Sequence, residues 1–422
     1  MAGNRSGAEL GSSMKSSGPM STLKVLDMTR VIAGPYAGQI LGDLGAEVVK
    51  IERQGEGDDV RRVGPPWMKD KDGEDTDEST YFQAVNRNKR SLTVDFSTKE
   101  GAALIVELAA KADVFLENYR TGTLAKYGLD YESLRKINPR LIYVSLTGFG
   151  QTGPYARRSG YDYLVQAMGG MMSVTGHADG KPGAGPLRVG VPVVDICAGL
   201  YAVIGVLAAV NDRSHTGLGQ AIDVSLFDAQ ISILLNAFSS WFNGGSELER
   251  TGNDHPSAAP YGVYAVDDGH ILIATFNDRE FARLASAVGH ADWGTDERFS
   301  TNGARVANRA LLADLLTRAL QGKGRDEWVR ILNENKVSSG PINTVADLEN
   351  DPQVIARDII VEMSHSEKGK IKTAASPLRF SRTPVTYRIA PPLIGEDSEA
   401  VLREWLGVDD SSLERLKQAK VI

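Results

Sequence analysis

The chain has 422 residues, 42% of them hydrophobic and 24% charged, with a net charge of −7. That length is too great for one compact core and predicts two or three domains, and the acidic balance argues against non-specific nucleic-acid binding, so no nucleic acid is expected as a partner; nor is a membrane, since no apolar run has the length and uniformity of a span. A single cysteine, Cys197, excludes an intrachain disulfide framework and a cysteine-rich metal site; it fits a reducing compartment, the cytoplasm or, for a eukaryotic chain, the mitochondrial matrix.

Residues 1–21 are rich in Gly and Ser and carry no apolar run, so they are expected to be a disordered extension or an expression scar ahead of a start at Met20. "TLKVLDMT" (22–29) predicts a buried strand. "GPYAGQILGDLGA" predicts a helix, with Pro35 suited to its first helical position and Tyr36, Ile40, Leu41 and Leu44 on one face, and "EVVKIER" a second strand. The alternation continues: strand "SLTVDF", helix "KEGAALIVELAAKA", strand "DVFLENY", helix "YESLRKIN", strand "RLIYVSLTGFG". Such repetition predicts a parallel, doubly wound α/β sheet. The polar "MKDKDGEDTDEST" (68–80) predicts a solvated loop.

Beyond residue 210 the pattern changes. "QAIDVSLFDAQISILLNAFSSWF" predicts a strand running into one long helix, and "GVYAVDDGHILIATF" a hairpin turning at Asp-Asp-Gly. Helices follow around "REFARLASAV" and "ANRALLADLLTRAL", then a return connection and a last helix, "DSEAVLREWLG". The expected organisation is a large domain over 22–225, a linker over 226–249, a small α+β domain over 250–345, and a return linker with the C-terminal part of the large domain over 346–422.

"LRVGVPVVDICAGLYAVIGVLAAV" (187–210) poses a question, because one carboxylate, Asp195, stands in an otherwise apolar run. Pro192, Asp195 and several glycines argue against a membrane span. The residue could be a helix N-cap, accepting backbone N–H bonds at the start of "ICAGLYAVIGVLAA". It could also be a nucleophile, kept ionised by the helix N-terminus, with Gly190 and Gly199 leaving room for a bulky substrate. A second acid, Asp162, follows Tyr161 in "RRSGYDYLVQAMGGMMSVTG". It fits a surface turn, or the partner of Asp195 in an acid–base pair of the racemase or glycosidase kind. "GFGQTG" (148–153) spells a dinucleotide motif but lacks an acid at the end of a following strand, which leaves a flexible turn beside a ligand. The six histidines have no metal-ligand spacing, and no metal is expected.

In order along the chain, "LDMTRVIAGPYAGQILGDLGAEVVKIER", "NRNKRSLTVDF", "ENYRTGTLAKYGLDYESL", "NPRLIYVSLTGFGQTGPYARRSGYD", "QAMGGMMSVTG" and "VVDICAGLYA" resemble the class III CoA-transferase family, the CaiB/BaiF type that includes formyl-CoA and carnitine CoA-transferases. The likeness runs from about Thr22 to the C-terminus. It implies a Rossmann-like large domain whose parallel sheet uses both chain ends, a small domain, and an interlaced homodimer. It places the family's nucleophile on Asp195, with Tyr161 and Asp162 as further catalytic residues. It places CoA contacts on Val31, Ala33, Arg53, Asn118, Tyr119 and Lys126, with Ser97 where a lysine can stand. No tightly bound cofactor is implied; CoA enters as the substrate acyl-CoA, alongside a small carboxylic acid. "GNDHPSAAPY" replaces the long glycine loop of formyl-CoA transferase, as in members that use succinyl-CoA with a dicarboxylate such as glutarate. Arg87, Arg158 and Arg188 are candidates to clamp a second carboxylate. The alternative within the fold is an α-methylacyl-CoA racemase. That enzyme has histidine where Tyr161 stands, and a phenol, ionising only near pH ~10, is a poor base at neutrality.

Overall fold

The computed structural model describes residues 17–422. Six short apolar runs form one parallel sheet: β1 (Lys24–Asp27), β2 (Glu47–Glu52), β3 (Lys89–Thr93), β4 (Val114–Glu117), β5 (Ile142–Thr147) and β6 (Ala221–Ser225), in the spatial order β6-β5-β4-β1-β2-β3. The chain thus builds outward from β1 in one direction, returns, and builds outward in the other. That is the doubly wound order, and it opens a crevice at the carboxyl ends of β1 and β4, where the direction reverses.

Residues alternate across the sheet, as period-two strands must. Val25, Val48, Val114, Leu116, Ile142 and Val144 share one core with α1 (Ala33–Asp43) and α4 (Val193–Thr216). Leu26, Val49, Phe115 and Tyr143 share the other with α2 (Lys99–Lys111), with Leu134 of α3 (Tyr131–Leu134) and with Val401, Leu402 and Trp405 of a C-terminal helix, Ser398–Leu406. The strands all lie between residues 24 and 225. The expectation of a sheet built from both chain ends is therefore corrected: the C-terminal end supplies covering helices and an antiparallel hairpin, Ile360–His365 with Gly369–Ala374, but no strand of this sheet.

Three other expectations change. The 68–80 "loop" is an antiparallel hairpin, Trp67–Lys69 with Asp75–Ser79, fastened by Glu78, which pairs with the buried Arg61 and with Lys368. The long helix after β6 is two, α5 (Leu226–Ser232) and Leu235–Gly244, separated where Leu235 takes φ of 30°. Of the expected extension, residues 1–16 lie outside the described residues. Met20, however, donates its N–H to the Leu44 carbonyl at 2.9 Å, so 17–21 pack against the end of α1.

α4 is long and apolar enough to cross a bilayer by length and composition, more so than the sequence suggested. Its Ala198, Ala202, Val203, Val206 and Ala209 are nevertheless core residues packed with α1 and the sheet. Small side chains on that face let the two helices approach. A Cβ added at Gly199 would lie 2.7 Å from the Ala33 carbonyl oxygen.

The chain divides into two compact units. One comprises the described residues up to Gly169, Val191–Ile233 and Asp358–Ile422; the other comprises Gly170–Gly190 and Leu234–Arg357. These limits assign 170–190 away from the sheet-bearing unit, unlike the expected 22–225 domain. In the second unit the hairpin Tyr261–Val266/Gly269–Ala274 gains a third strand, Ser338–Pro341, and packs on helices through Phe281, Leu284, Leu316 and Trp328.

Candidate active site

The crevice predicted by strand order holds a cavity of about 350 Å³. The turn after β1 supplies Arg30, Val31, Ile32 and Ala33; the segment after β4 supplies Asn118, Tyr119, Arg120 and Thr121; the end of β5 supplies Leu146, Thr147 and Gly148. Arg158, Tyr161 and Asp195 complete the wall. Of the residues singled out in the sequence, Asp195, Tyr161, Val31, Ala33, Asn118 and Tyr119 therefore converge.

Asp195 reaches the cavity because α4 starts at Val193, which makes Asp195 the third residue of the helix and not its N-cap; Pro192 stands at the cap and gives no side-chain hydrogen bond. The capping role passes to Asp162, whose Oδ2 accepts the N–H of Val194 at 2.8 Å and of Asp195 at 3.3 Å. Asp162 is buried and also accepts from Gln166 Nε2 at 2.5 Å. It does not line the cavity; it holds the helix end that carries Asp195. Since Asp162 has already taken the amides that would steady a charge, the carboxyl of Asp195 is not kept comfortably ionised. Burial first, and the Asp162 charge second, push its pKa up to about 7. This reverses the expectation that the helix N-terminus would keep it acidic.

One prediction follows from the sign of that second cause. Asp162→Asn keeps an oxygen for the two amides but removes the negative charge, so the Asp195 pKa falls. The acid limb of the kcat/KM–pH profile should move to lower pH in Asp162→Asn. An unmoved limb would mean that Asp195 is not the group titrating in it.

Glycines shape the remaining wall. A Cβ at Gly148 would meet the Gly160 Cα at 2.5 Å, so the segment 148–160, which starts with "GFGQTG", closes on itself and brings Tyr161 to the rim. Tyr161 is 67% exposed. Gly199, expected to make room for substrate, instead makes room for α1. Cys197 lies only partly buried on α4, and burial with the Asp162 charge raises its thiol pKa, which disfavours the thiolate.

The arginines separate. Arg87 is buried and forked onto Asp43 at 2.7 and 3.0 Å, which commits it to structure. Arg188 donates to the Val189 and Gly190 carbonyls in the second unit. Arg158 lines the Asp195 cavity, its guanidinium 4.7 Å from the Tyr155 ring and 5.5 Å from that of Phe149. The sequence passed over Arg30 and Arg120, which also line it. Each stands three residues beyond a strand end, at Asp27 and Glu117, the one signal that could have marked them.

A second cavity, about 450 Å³, shares Arg30 and Tyr119 with the first and continues to Lys50, Arg53, Asp95, Phe96, Ser97 and Tyr127. Arg53 is exposed there, paired with Glu56 at 2.5 Å. One face of the Tyr119 ring is covered by Arg30 at 4.9 Å, and its edge meets Phe96. Lys126 lies apart from Asp195 on a shallow cleft with Ser97 and Lys99. A near-neutral carboxylate at one end, arginines around it, and an aromatic and basic trough leading away suit a long anionic ligand whose reactive end meets Asp195.

Residues 20–398 match the model of CoA-transferase family III. The chain is 43% identical over 92% of its length to the succinate–glutarate CoA-transferase of Agrobacterium fabrum, covering 95% of that protein. It is 37% identical over 93% of its length to the acetyl-CoA:oxalate CoA-transferase of Acetobacter aceti, covering 97% of it. Among solved structures, a CaiB/BaiF family protein from Brucella suis superimposes with a TM-score of 0.84 at 44% identity, over 92% of this chain and 100% of that one.

Proposed function

The chain belongs to CoA-transferase family III, enzymes that act on CoA thioesters, and on that premise we propose that it moves CoA from succinyl-CoA to a dicarboxylic acid such as glutarate, with Asp195 as nucleophile. The observation that supports this most is the position of Asp195: a carboxyl with pKa about 7, at the foot of a helix, open to the crevice and beside three arginines.

In the proposed sequence Asp195 attacks the thioester carbonyl. The C–S bond breaks, CoA leaves as thiolate, and a mixed anhydride forms. The thiolate attacks the aspartyl carbonyl, releasing the first carboxylate and leaving an aspartyl-CoA thioester. The acceptor carboxylate displaces the thiolate again, forming a second anhydride. The thiolate then attacks the acceptor acyl carbon, giving the new acyl-CoA and regenerating the Asp195 carboxylate. Each step trades one activated acyl bond for another, so the only loss is to water, which an apolar, partly buried setting limits. The unbonded amides of Ile32 and Ala33 at the start of α1, with the Tyr161 hydroxyl, supply oxyanion donors. The trough through Arg53, Tyr119 and Ser97 takes the nucleotide end of CoA, with Lys99 and Lys126 near its phosphates. Arg158 is the candidate of the original three that remains for the acyl carboxylate.

The substrate is set by a mass-spectrometric matrix of acyl-CoA donors against carboxylic-acid acceptors. Succinyl-CoA with glutarate should give the fastest formation of a new acyl-CoA. Faster exchange between acetyl-CoA and oxalate would replace this pair with that named for the Acetobacter protein. The racemase alternative requires a proton acceptor on each face of the acyl α-carbon. Besides Asp195, the acids lining this cavity are the phenols of Tyr119 and Tyr161 and the carboxylate of Asp59, which is paired with Arg30 at 3.0 Å, so no deuterium should enter the α-position of a 2-methylacyl-CoA in deuterated water. Exchange at a rate rivalling CoA transfer would favour racemisation.

An interlaced homodimer is part of the proposal. Exposed Leu200, Tyr201 and Ile204 on α4, and Phe238, Trp241 and Phe242 in the second unit, are apolar surface of the kind a partner covers. Interlaced chains should resist dilution. A reversible monomer in native buffer would exclude them.

A further inference from the structure

We propose that Asp58, anchored by the buried Lys50, is a positioning residue that holds Val31 in a left-handed backbone conformation and thereby aims the Arg30–Ala33 turn into the cavity containing Asp195. The inference rests on acyl-CoA occupying that cavity. Val31 has φ of 71°. A β-branched residue is crowded there, and such a conformation persists only where its surroundings enforce it.

The enforcement is visible residue by residue. Met28 donates its N–H to the Leu116 carbonyl at 2.8 Å, and Thr29 donates its own to Asp27 Oδ1 at 2.9 Å. Arg30 is held on both sides by Asn118, which accepts its N–H at 2.9 Å and donates to its carbonyl at 2.7 Å. Val31 gives its N–H to Asp58 Oδ1 at 3.1 Å. There the fastening ends, because no hydrogen bond holds the amides of Ile32 and Ala33 among the described residues, and both residues line the cavity.

Asp58 is itself fixed from below. It is 1% exposed, and its Oδ2 lies 2.8 Å from Lys50 Nζ, a group with no exposed side-chain surface. Lys50 also donates to the Thr29 carbonyl at 2.8 Å. Burial acts to lower the Lys50 pKa, but the charges of Asp58, Asp27 and Glu52 outweigh it and leave the pKa above the ordinary value, so the cation is retained. Asp27, a second anion of the group, takes the Lys89 ammonium at 2.9 Å. A buried ion network of this kind is a costly route to stability alone, since desolvation opposes it. Its geometric product is a turn with one strained residue and two free amides at the reactive end of the crevice.

Two measurements test this. The first is thermal melting of Val31→Gly against Val31→Ala. At an ordinary position alanine is the more stable of the two; at φ of 71° only glycine is unstrained. Val31→Gly should therefore melt above Val31→Ala, and the reverse order would overturn the proposal whatever reaction the enzyme catalyses. The second is a double-mutant cycle on kcat/KM for acyl-CoA. Asp58→Ala should cost about tenfold or more, chiefly in KM, while Asp58→Asn, which keeps an acceptor for the Val31 N–H, should lose less. Adding Val31→Gly to Asp58→Ala should recover part of the loss, because glycine needs no restraint to occupy that conformation. Losses that simply multiply, in a double variant that still melts cooperatively, would contradict the assignment. If Asp58→Ala does not fold, the same cycle is run in a Lys50→Met background, which removes the buried ammonium left unpaired: partial recovery by Val31→Gly is again expected, and losses that simply multiply again contradict the assignment.

Discussion

Asp195→Asn is expected to lower kcat/KM by about 10⁴-fold or more, the scale of loss when the nucleophile of a covalent mechanism is removed, while leaving the protein folded and at neutral pH more stable than the parent. The activity loss follows because an amide oxygen cannot form the anhydride. The stability gain follows from linkage. The Asp195 carboxyl has its pKa raised to about 7 in the folded chain, against 3.8 ordinarily. Below pH 4 it is protonated in both folded and unfolded chains and contributes no difference. Between pH 4 and 7 the unfolded chain ionises while the folded one resists, so the parent loses stability as pH rises. Above pH 7 the penalty is complete and constant. The melting-temperature advantage of Asp195→Asn should thus grow from pH 4 to 7 and then level off. The same ionisation should appear in the parent as a kcat/KM that climbs with pH and flattens above about 7. An asparagine variant that melts lower than the parent at pH 8 would show that the carboxylate is a structural cap after all.

Gly199→Ala should have the second-largest effect, through geometry alone. Gly199 lies one helical turn beyond Asp195, on the same face of α4. Its added methyl would stand 2.7 Å from the Ala33 carbonyl oxygen and 3.2 Å from the Tyr36 ring. The first obstacle is backbone, so α4 and α1 must move apart. Overpacking of this kind costs about 1–3 kcal/mol of stability. It also shifts Asp195 relative to the Arg30–Ala33 turn, and misplacement by an ångström can cost about 100-fold in rate. A Gly199→Ala enzyme with parental kcat/KM would mean that the spacing of α1 and α4 does not set the site.

The sheet was legible because its strands are short apolar runs spaced by amphipathic helices, a pattern that depends on neighbours in sequence. "EVVKIER" and "KEGAALIVELAAKA" lie within a residue or two of their observed limits for that reason. Asp195 and Tyr161 stood out chemically, as a charge in an apolar run and as a phenol in a family position. What the sequence could not convey was partnership across distance. Asp162 caps a helix that starts 31 residues later, and Asp58 restrains a turn 27 residues before it. Neither contact leaves a local periodicity. The final helix Asp410–Gln418 was missed for a related cause: it is mostly polar, and Leu413 packs it into a core with Val401 and Leu402. The break at Leu235, whose side chain is 73% exposed, has no packing cause in the structure. Arg87 shows the converse, since as a bare arginine it was a clamp candidate until its fork onto Asp43 was seen.

The central claim is that an acyl group and then CoA itself become bonded to Asp195. The most direct measurement incubates the enzyme with succinyl-CoA and no acceptor, quenches with hydroxylamine or borohydride, and maps the modified peptide by mass spectrometry. Hydroxylamine should convert Asp195 to its hydroxamate, and borohydride should reduce it to the alcohol, each dependent on acyl-CoA and absent from Asp195→Asn. Modification confined to Cys197, or an unmodified Asp195 in an enzyme that is turning over, would contradict the mechanism.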